Sequence, residues 1–577
     1  MRLPNISTLT TPQNNHLAQQ VDDYMLNQIA RQRHGIHLTQ FTREIILKIV
    51  RDTLFDLPVL DLITQLNQKI RLKNFICFVS IVQNNKTLAC IHRPGNQLAD
   101  SIYSAARNLK NILSHNINKS FHIEINILFN KKTYSYGDNK FINKFRIGID
   151  SIGMIHKKRI ALFKNSVPIK YGYSCQQLIE LLAKKCNAPL NTLSSDKTSL
   201  LIYDTIEFRE DYQPASHFNL YDLYRGNGLI LQSETTETHL KKCARITAVR
   251  LQYFLSALPH PIYEYDYLHD HAIKPESSEA VLRVITSMTA LANYHPKSIV
   301  TLEKIADYFI NKYFDKITGC LSVNELSDLG INGCFLETLN TLHNSKYKDT
   351  SEKLVAFIFF MFDDLNHKFK IVTNSKPISQ FHESEFYFPG MALCGLLSCQ
   401  NRKVQEKAIQ LAKHSFPYYH ALFNKHKDGI KMLHWMTKAY GKAYHLTCDP
   451  IYSRFIFELN DKVAEMQIQL TEEIDLTGSF SKTGNVRATA AILESLIEAA
   501  KVASLSKDFF RLKIYEKCIQ LGLRFILQTQ HREDNTFNAS TLGGFDNNFF
   551  DKKIRIDNLQ HVLNVLNGVL TPNIPKS

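Results

Sequence analysis

A chain of 577 residues exceeds what one hydrophobic core organises, roughly 250–300 residues, so more than one unit is expected. Hydrophobic residues make up 44% and charged residues 21%, which excludes wholesale disorder. The net charge of +15 admits an anionic partner, yet the lysines are scattered singly without aromatic interleaving, so nucleic acid is not the favoured one. Residues 1–38 are polar and rich in Gln and Asn, a frayed lead-in with one helix. Ile45, Ile46, Ile49, Leu54 and Leu57 then mark an amphipathic helix stopped by Pro58. Residues 75–82 read as a buried strand, Asn84, Asn85 and Lys86 as a tight turn, and 87–91 as the returning strand. A helix over 98–113, a strand over 122–128, a helix over 175–185 and a strand over 201–203 follow. Together they predict an α+β domain over 39–212. Residues 213–239 read as a linker.

From residue 240 to 570 the pattern is helical, with loops of Gly and aromatic residues: Gly478, Ser479 and Phe480, for instance, and Gly543, Gly544 and Phe545. Helix pairs separated by such loops predict an all-α repeat closed into a ring. The longest apolar run, 354–362, is a buried helix; it falls far short of the roughly 20 residues of a membrane span. Eleven cysteines at irregular spacings form no CxxC pair, so neither a zinc knuckle nor a disulfide framework is expected. Cys394 and Cys399 read as core thiols. Reduced thiols and the lack of a secretory leader suit a cytoplasmic protein. Phosphate-loop, HExxH, GxSxG and GxGxxG motifs are absent, and neither a cofactor nor a metal site is expected.

Two resemblances sharpen this reading. Residues 40–212 resemble the AMMECR-type domain family. The likeness rests on the order of elements and on Ser104 to Arg107, Gly148 to Ile152, Ala161 to Pro168 and Leu178 to Cys186. The family's Arg-Gly-Cys-Ile-Gly strand keeps only Cys90 and Ile91, followed by His92. Residues 240–570 resemble the six-hairpin α/α toroid shared by glycoside hydrolases, sugar epimerases and unsaturated-uronyl hydrolases. That likeness rests on Tyr263 to Asp266, Arg283, Phe386 to Gly390, His434, Trp435, the two Gly-aromatic loops, and Arg555 to His561.

Arg487 and Arg555 each open an apolar-periodic helix, where the helix dipole is already positive. They ask for an anion: a ligand carboxylate, or a bracing acid such as Asp475 or Asp551. Asp557, Gln560 and His561, at i, i+3 and i+4, share a face, as a proton-transfer set or as a satisfied network. Glu264 and Asp266 flank Tyr265 on one side of an extended segment, and with Asp475 and Glu385 they are candidate acids for glycosidic chemistry. Arg283, Tyr387, His434 and Trp435 are candidate binding residues, Trp435 as a stacking platform or as core. Cys90 and His92, at i and i+2, read as a nucleophile pair or as inert core. The ten Lys and Arg residues between 131 and 170 read as a solvated face. The function expected is carbohydrate processing of an anionic, uronate-like sugar, of glycoside hydrolase, lyase or epimerase type, with the first domain accessory. The alternative is a non-catalytic scaffold for a protein or glycan partner.

Overall fold

The computed structural model describes residues 12–32, 36, 38–70, 72–83, 86–113, 121–194, 196–212, 219–257, 260–324, 327–373, 382–426, 428–532 and 540–570. Within the lead-in, the described residues 12–32 form one helix, α1 (Pro12–Gln32). Val21 and Met25 are buried with Ile149, Tyr224, Ile474 and Leu521, and Asp22 accepts from the backbone N–H of Gln232 and of Ser233. Polar composition hid a strap that packs through Leu17, Val21, Met25 and Ile29, while Leu26 stays exposed.

Next come α2 (Gln40–Leu54), capped by the Thr39 hydroxyl, α3 (Leu60–Lys69), and the hairpin β1 (Phe75–Gln83) and β2 (Lys86–Gly95). The expected turn at Asn84 and Asn85 lies outside the described residues. Then follow α4 (Leu98–Leu113), β3 (Phe121–Ser135), α5 (Asn139–Lys144), β4 (Ser151–His156) and β5 (Arg159–Phe163). Two short helices, α6 (Ser166–Tyr171) and α7 (Cys175–Lys185), precede the long strand β6 (Thr198–Tyr212). The sheet runs β2-β1-β3-β6-β4-β5 with antiparallel neighbours throughout. Because strand side chains alternate, one face offers Val79, Ile81, Ile123, Ile125 and Phe208 to α2 and α4. The opposite face carries Ser80, Glu124, Asn126, Glu207 and Arg209.

The stretch expected as a linker is structured where it is described. Strands β7 (Asn219–Tyr224) and β8 (Asn227–Gly228) extend the sheet, and Arg225 bonds Asp475 at 2.8 Å and Glu473 at 2.6 Å.

Among the described residues, twelve α-helices then alternate between two shells. The outer six are α8 (Glu237–Ser256), α10 (Ile299–Tyr313), α12 (Lys348–Phe360), α14 (Arg402–Lys425), α16 (Pro450–Ala464) and α18 (Phe509–Thr529). The inner six are α9 (Ser278–Tyr294), α11 (Leu329–Leu342), α13 (Phe388–Leu397), α15 (Leu433–Thr447), α17 (Val486–Leu505) and α19 (Ile556–Leu570). Each inner helix packs on the next, and α19 packs back on α9, so the inner six close a ring and run in one direction. The two shells differ as burial demands. Outer α10 buries one stripe, Leu302, Ile305, Ala306 and Phe309, whereas inner α11 is buried at nearly every position. A small sheet of β9 (Glu264–Asp266), β10 (His271–Ile273) and β11 (Lys553–Arg555) ties the start of the ring to its end, with Glu264 opposite Arg555. No helix among the described residues is long and apolar enough to cross a membrane.

Candidate functional site

Three arginines meet where the inner helices begin. Arg555, at the end of β11, donates from Nε and Nη2 to the two oxygens of Asp557, 3.0 Å each. Arg487, on the first turn of α17, donates to Asp557 at 3.5 Å, and Arg283 of α9 lies 3.7 Å away. Asp557 is fully buried. Burial works against its charge, but Arg283, Arg555 and Arg487 outweigh it and hold the carboxyl below the ordinary range. Glu279 lies 3.7 Å from Arg283 and 3.6 Å from Arg555, so three guanidinium groups share two carboxylates and positive charge is left over. Arg555 also sits over the Tyr263 ring at 5.0 Å.

One to two turns further along, the polar faces of the inner helices enclose a cavity of about 340 Å³. Gln560 and Asn564 of α19, His434, Trp435, Lys438 and Lys442 of α15, and Glu494 and Glu498 of α17 line it. Glu494 is the pivot. Its Oε1 is 2.6 Å from His561 Nδ1, and its Oε2 accepts from Asn564 at 2.9 Å. His434 Nδ1 donates to the Ala491 carbonyl at 3.1 Å, which leaves its Nε2 toward Glu494 at 3.9 Å. Burial raises the Glu494 carboxyl to about 7, against the pull of His434 and Lys438. Burial likewise lowers His434 to about 4 and, reinforced by Arg283, His561 to about 3. Both imidazoles are therefore neutral at pH 7. Glu337 is the opposite case: burial opposes its charge, yet Lys438 at 3.0 Å and Lys442 at 2.8 Å hold it down at about 2.

The expected residues divide into three groups. Arg283, Arg487, Arg555, Asp557 and Tyr387, whose hydroxyl feels Arg283 and Arg487, gather at the end where the inner helices start. Gln560, His434 and Trp435 line the cavity, and His561 meets it through its bond to Glu494. The four other acids stand elsewhere, each already occupied. Glu264 pairs with Lys553 at 3.1 Å. Asp266 accepts from the backbone of Leu268 and His269 and shapes a hairpin turn. Glu385 takes Tyr418 at 2.5 Å and Lys368 at 3.4 Å. Asp475 is clamped by Arg225, and Asp551 accepts from Asn547, so neither braces Arg487 or Arg555. Trp435 is not an open platform, because the Lys438 ammonium lies 5.0 Å from its ring centre. In the sheet, His92 packs on Phe78 while Cys90 accepts from Ser80. Within the basic stretch, Lys132, Arg146 and Lys164 pair with Asp204, Asp150 and Glu124.

Glu494, Glu337, Lys438, Lys442 and Glu498 escaped the sequence reading. Their signal was helical spacing from residues already chosen: Arg487 to Glu494 is seven positions, and His434, Lys438 and Lys442 recur every four. His434, Glu494 and His561 each bring a ligand atom within 4.8 Å of the others. These residues do not fit a metal ion well. Both Glu494 oxygens are already taken, and Arg283, Arg487 and Lys438 surround His561 with positive charge.

No protein-family model matches the chain, and no curated protein matches it. Among solved structures, the chain is similar to an unsaturated glucuronyl hydrolase specific for heparin, at 10% identity over 58% of this chain and 97% of that one, TM-score 0.39. It is also similar to a type II terpene cyclase from Scytonema, at 12% identity over 58% and 98%, TM-score 0.37. An uncharacterized protein from Pyrococcus horikoshii matches 32% of this chain with 96% of its own length, at 15% identity and TM-score 0.25.

Proposed function

We propose that the chain processes a small anionic sugar of uronate type in the ring cavity, with Glu494 and His561 moving the proton. The observation that carries this is Glu494: a carboxyl raised to about 7, bonded to a neutral imidazole, at the wall of a cavity. Such a pair takes a proton from a sugar carbon or hydroxyl, or gives one to a leaving oxygen, near pH 7. Hydrolysis, elimination and epimerisation all need that step, and the reading commits to the step rather than to one of the three. The positive charge left over on Arg283, Arg487 and Arg555, at the end where the inner helices start, supports an anionic substrate. The volume, about 340 Å³, suits one or two sugar rings, at the small end of ligand pockets of roughly 300–1,000 Å³. Residues 39–212 would then be an AMMECR-like accessory domain beside a toroid at 240–570, in a cytoplasmic setting.

A scaffold that binds without turnover is the second reading. It is favoured by the mutual pairing inside the cavity: Glu337 with Lys438 and Lys442, Glu498 with Lys501 and His445. The test is a panel of uronate-containing and neutral oligosaccharides scored by mass spectrometry and by thermal shift. Glu494→Gln should cut turnover by about 10²–10⁴-fold while the ligand-induced shift persists. Wild-type turnover by Glu494→Gln overturns the proton-transfer role. Binding of uronates without any product selects the scaffold.

A further inference from the structure

The ring cavity is lined by none of the three arginines. Its floor is a chain of hydrogen bonds. The Thr286 hydroxyl donates to Gln560 Oε1 at 3.4 Å, the Gln560 amide reaches His561 Nδ1 at 3.4 Å, and His561 meets Glu494 at 2.6 Å. Asp557 and its arginines lie one helical turn beyond that floor. In the other direction the cavity opens. Asn293, Thr341, Ser398, Lys501 and Asn567 line it from positions at or beside the last turns of α9, α11, α13, α17 and α19. None of these five is buried.

Between floor and mouth lies a layer of charge. Lys438 and Lys442, one turn apart on α15, donate to the two oxygens of Glu337 at 3.0 and 2.8 Å. Lys501 pairs with Glu498 at 3.3 Å. Glu494, the third carboxyl of the lining, keeps its proton below about pH 7. Three ammonium groups then face two carboxylates, and one positive charge is surplus. Lys438 is where it can be met. Among the described residues its ammonium donates only to Glu337, which leaves two of its three N–H groups for a ligand. The Trp435 ring, 5.0 Å away, brings no formal countercharge. The side chains of Lys438 and Lys442 keep 30% and 28% of their surface accessible, and both line the cavity, so a ligand can reach them. A singly charged anion balances this layer, whereas a dianion would exceed the surplus and meet Glu498. Thr286, Thr289, Asn293, Asn564 and Asn567 offer hydroxyl and amide partners to the rest of the molecule.

We propose that Lys438 and Lys442 bind the carboxylate of a small monoanionic polyol, which enters the ring from the end opposite the arginines. The polyol body rests on the uronate reading above; the entrance and the lysine contact stand on the cavity itself.

Trp435 is the single tryptophan of the chain and lines the cavity, so its fluorescence reports what enters. At constant ionic strength, iodide should quench it at least about threefold more efficiently than caesium, because surplus positive charge draws anions in. Glucuronate should protect it from iodide, and glucose should not. Lys438→Gln should abolish both the iodide preference and the protection, while Lys438→Arg keeps them. Neutral acrylamide, with circular dichroism, is the control for fold: its quenching should stay within about twofold of wild type in both variants. Thr341→Phe combined with Asn567→Phe narrows the mouth and should slow iodide and acrylamide alike. No iodide preference, no better protection by glucuronate than by glucose, or unchanged quenching in the mouth variant overturns the proposal. In Glu494→Gln the protection should persist. Protection without turnover in the wild type would sink the proton-transfer role alone, and turnover without protection would sink the lysine site alone.

Discussion

Glu494 sits between two imidazoles that stay neutral, and the three groups respond to acid in opposite senses. His434 and His561, lowered to about 4 and about 3, take up protons in the unfolded chain near pH 6.5 but not in the folded one. Stability is therefore lost as pH falls below 6.5. Glu494, raised to about 7, holds a proton in the folded chain that the unfolded chain releases above about 4.5. Its contribution is present at low pH and is lost as pH rises toward 7. Two imidazoles against one carboxyl leave a net of one proton, about 1.4 kcal/mol of stability lost per pH unit from 6.5 down to 4.5. In Glu494→Gln the opposing group is gone, so urea midpoints followed against pH should fall more steeply than in the wild type. A parallel decline in both proteins would mean that the carboxyl ionises normally. Asp557, Gln560, His561 and His434 were legible in the sequence because they stand beside helix starts or share a face within one turn. Glu494 was not. It lies mid-helix in the apolar stretch from Ala490 to Leu496, and only its seven-residue offset from Arg487 gave it away. Glu264, Asp266, Glu385 and Asp475 misled for the reverse reason: acids beside aromatic and glycine residues shape turns and brace loops as readily as they serve a cleft.

Among elements, the inner helices show how the ring keeps a small circumference. A side chain at Gly395 of α13 would place its Cβ 2.3 Å from the Gly333 carbonyl of α11, and one at Gly333 would fall 2.7 Å from the Ala392 backbone. The two helices thus meet backbone to backbone. Gly395→Ala should destabilise by about 1–3 kcal/mol, because the contact offers only main chain to move aside, and the shift is measurable by urea denaturation. Gly568, facing only Ile497 side-chain atoms at 3.2 and 3.6 Å, is the tolerant control. Helices at 98–113 and 175–185 were read with the bounds that they have, since their apolar spacing and polar flanks agree. The strands β4, β5 and most of β6 were not read. Lys157, Lys158 and Arg159 surround the turn between β4 and β5 and suggested a charged surface, while Asp204, Glu207, Arg209, Glu210 and Asp211 broke the apolar pattern of β6. Those charges are buried against partners on both faces of the sheet: Arg51 of α2 on Glu210, and Asn165 on Glu207.

At the scale of the whole molecule, sheet and ring are joined by Arg225. Its guanidinium binds Asp475 and Glu473 of the ring and the Ile147 carbonyl of the sheet side, and it lies 5.0 Å from the Phe549 ring. Both Arg225 and Asp475 are almost wholly buried. Arg225→Met would strand the Asp475 carboxylate in that setting, a loss of about 3–5 kcal/mol. Calorimetry should then resolve two heat-absorption peaks in place of one, because sheet and ring no longer melt as a unit. The closed ring itself was foreseeable from its Gly-aromatic loops; the strap α1 and the β9–β10–β11 tie were not, since each is a handful of residues whose role exists only against distant partners.

The last inner helix, α19, supplies Asp557 and His561 and fills the gap between α17 and α9. Synthesis runs from the N-terminus, so a nascent chain halted before residue 556 is a barrel lacking one stave. Its apolar edges on α9 and α17 stand open to water, and neither the arginines nor Glu494 have their counterpart. Competence and closure thus arrive together, with the sixth inner helix, and until then the unfinished barrel is a client for whatever shields exposed hydrocarbon in the cell.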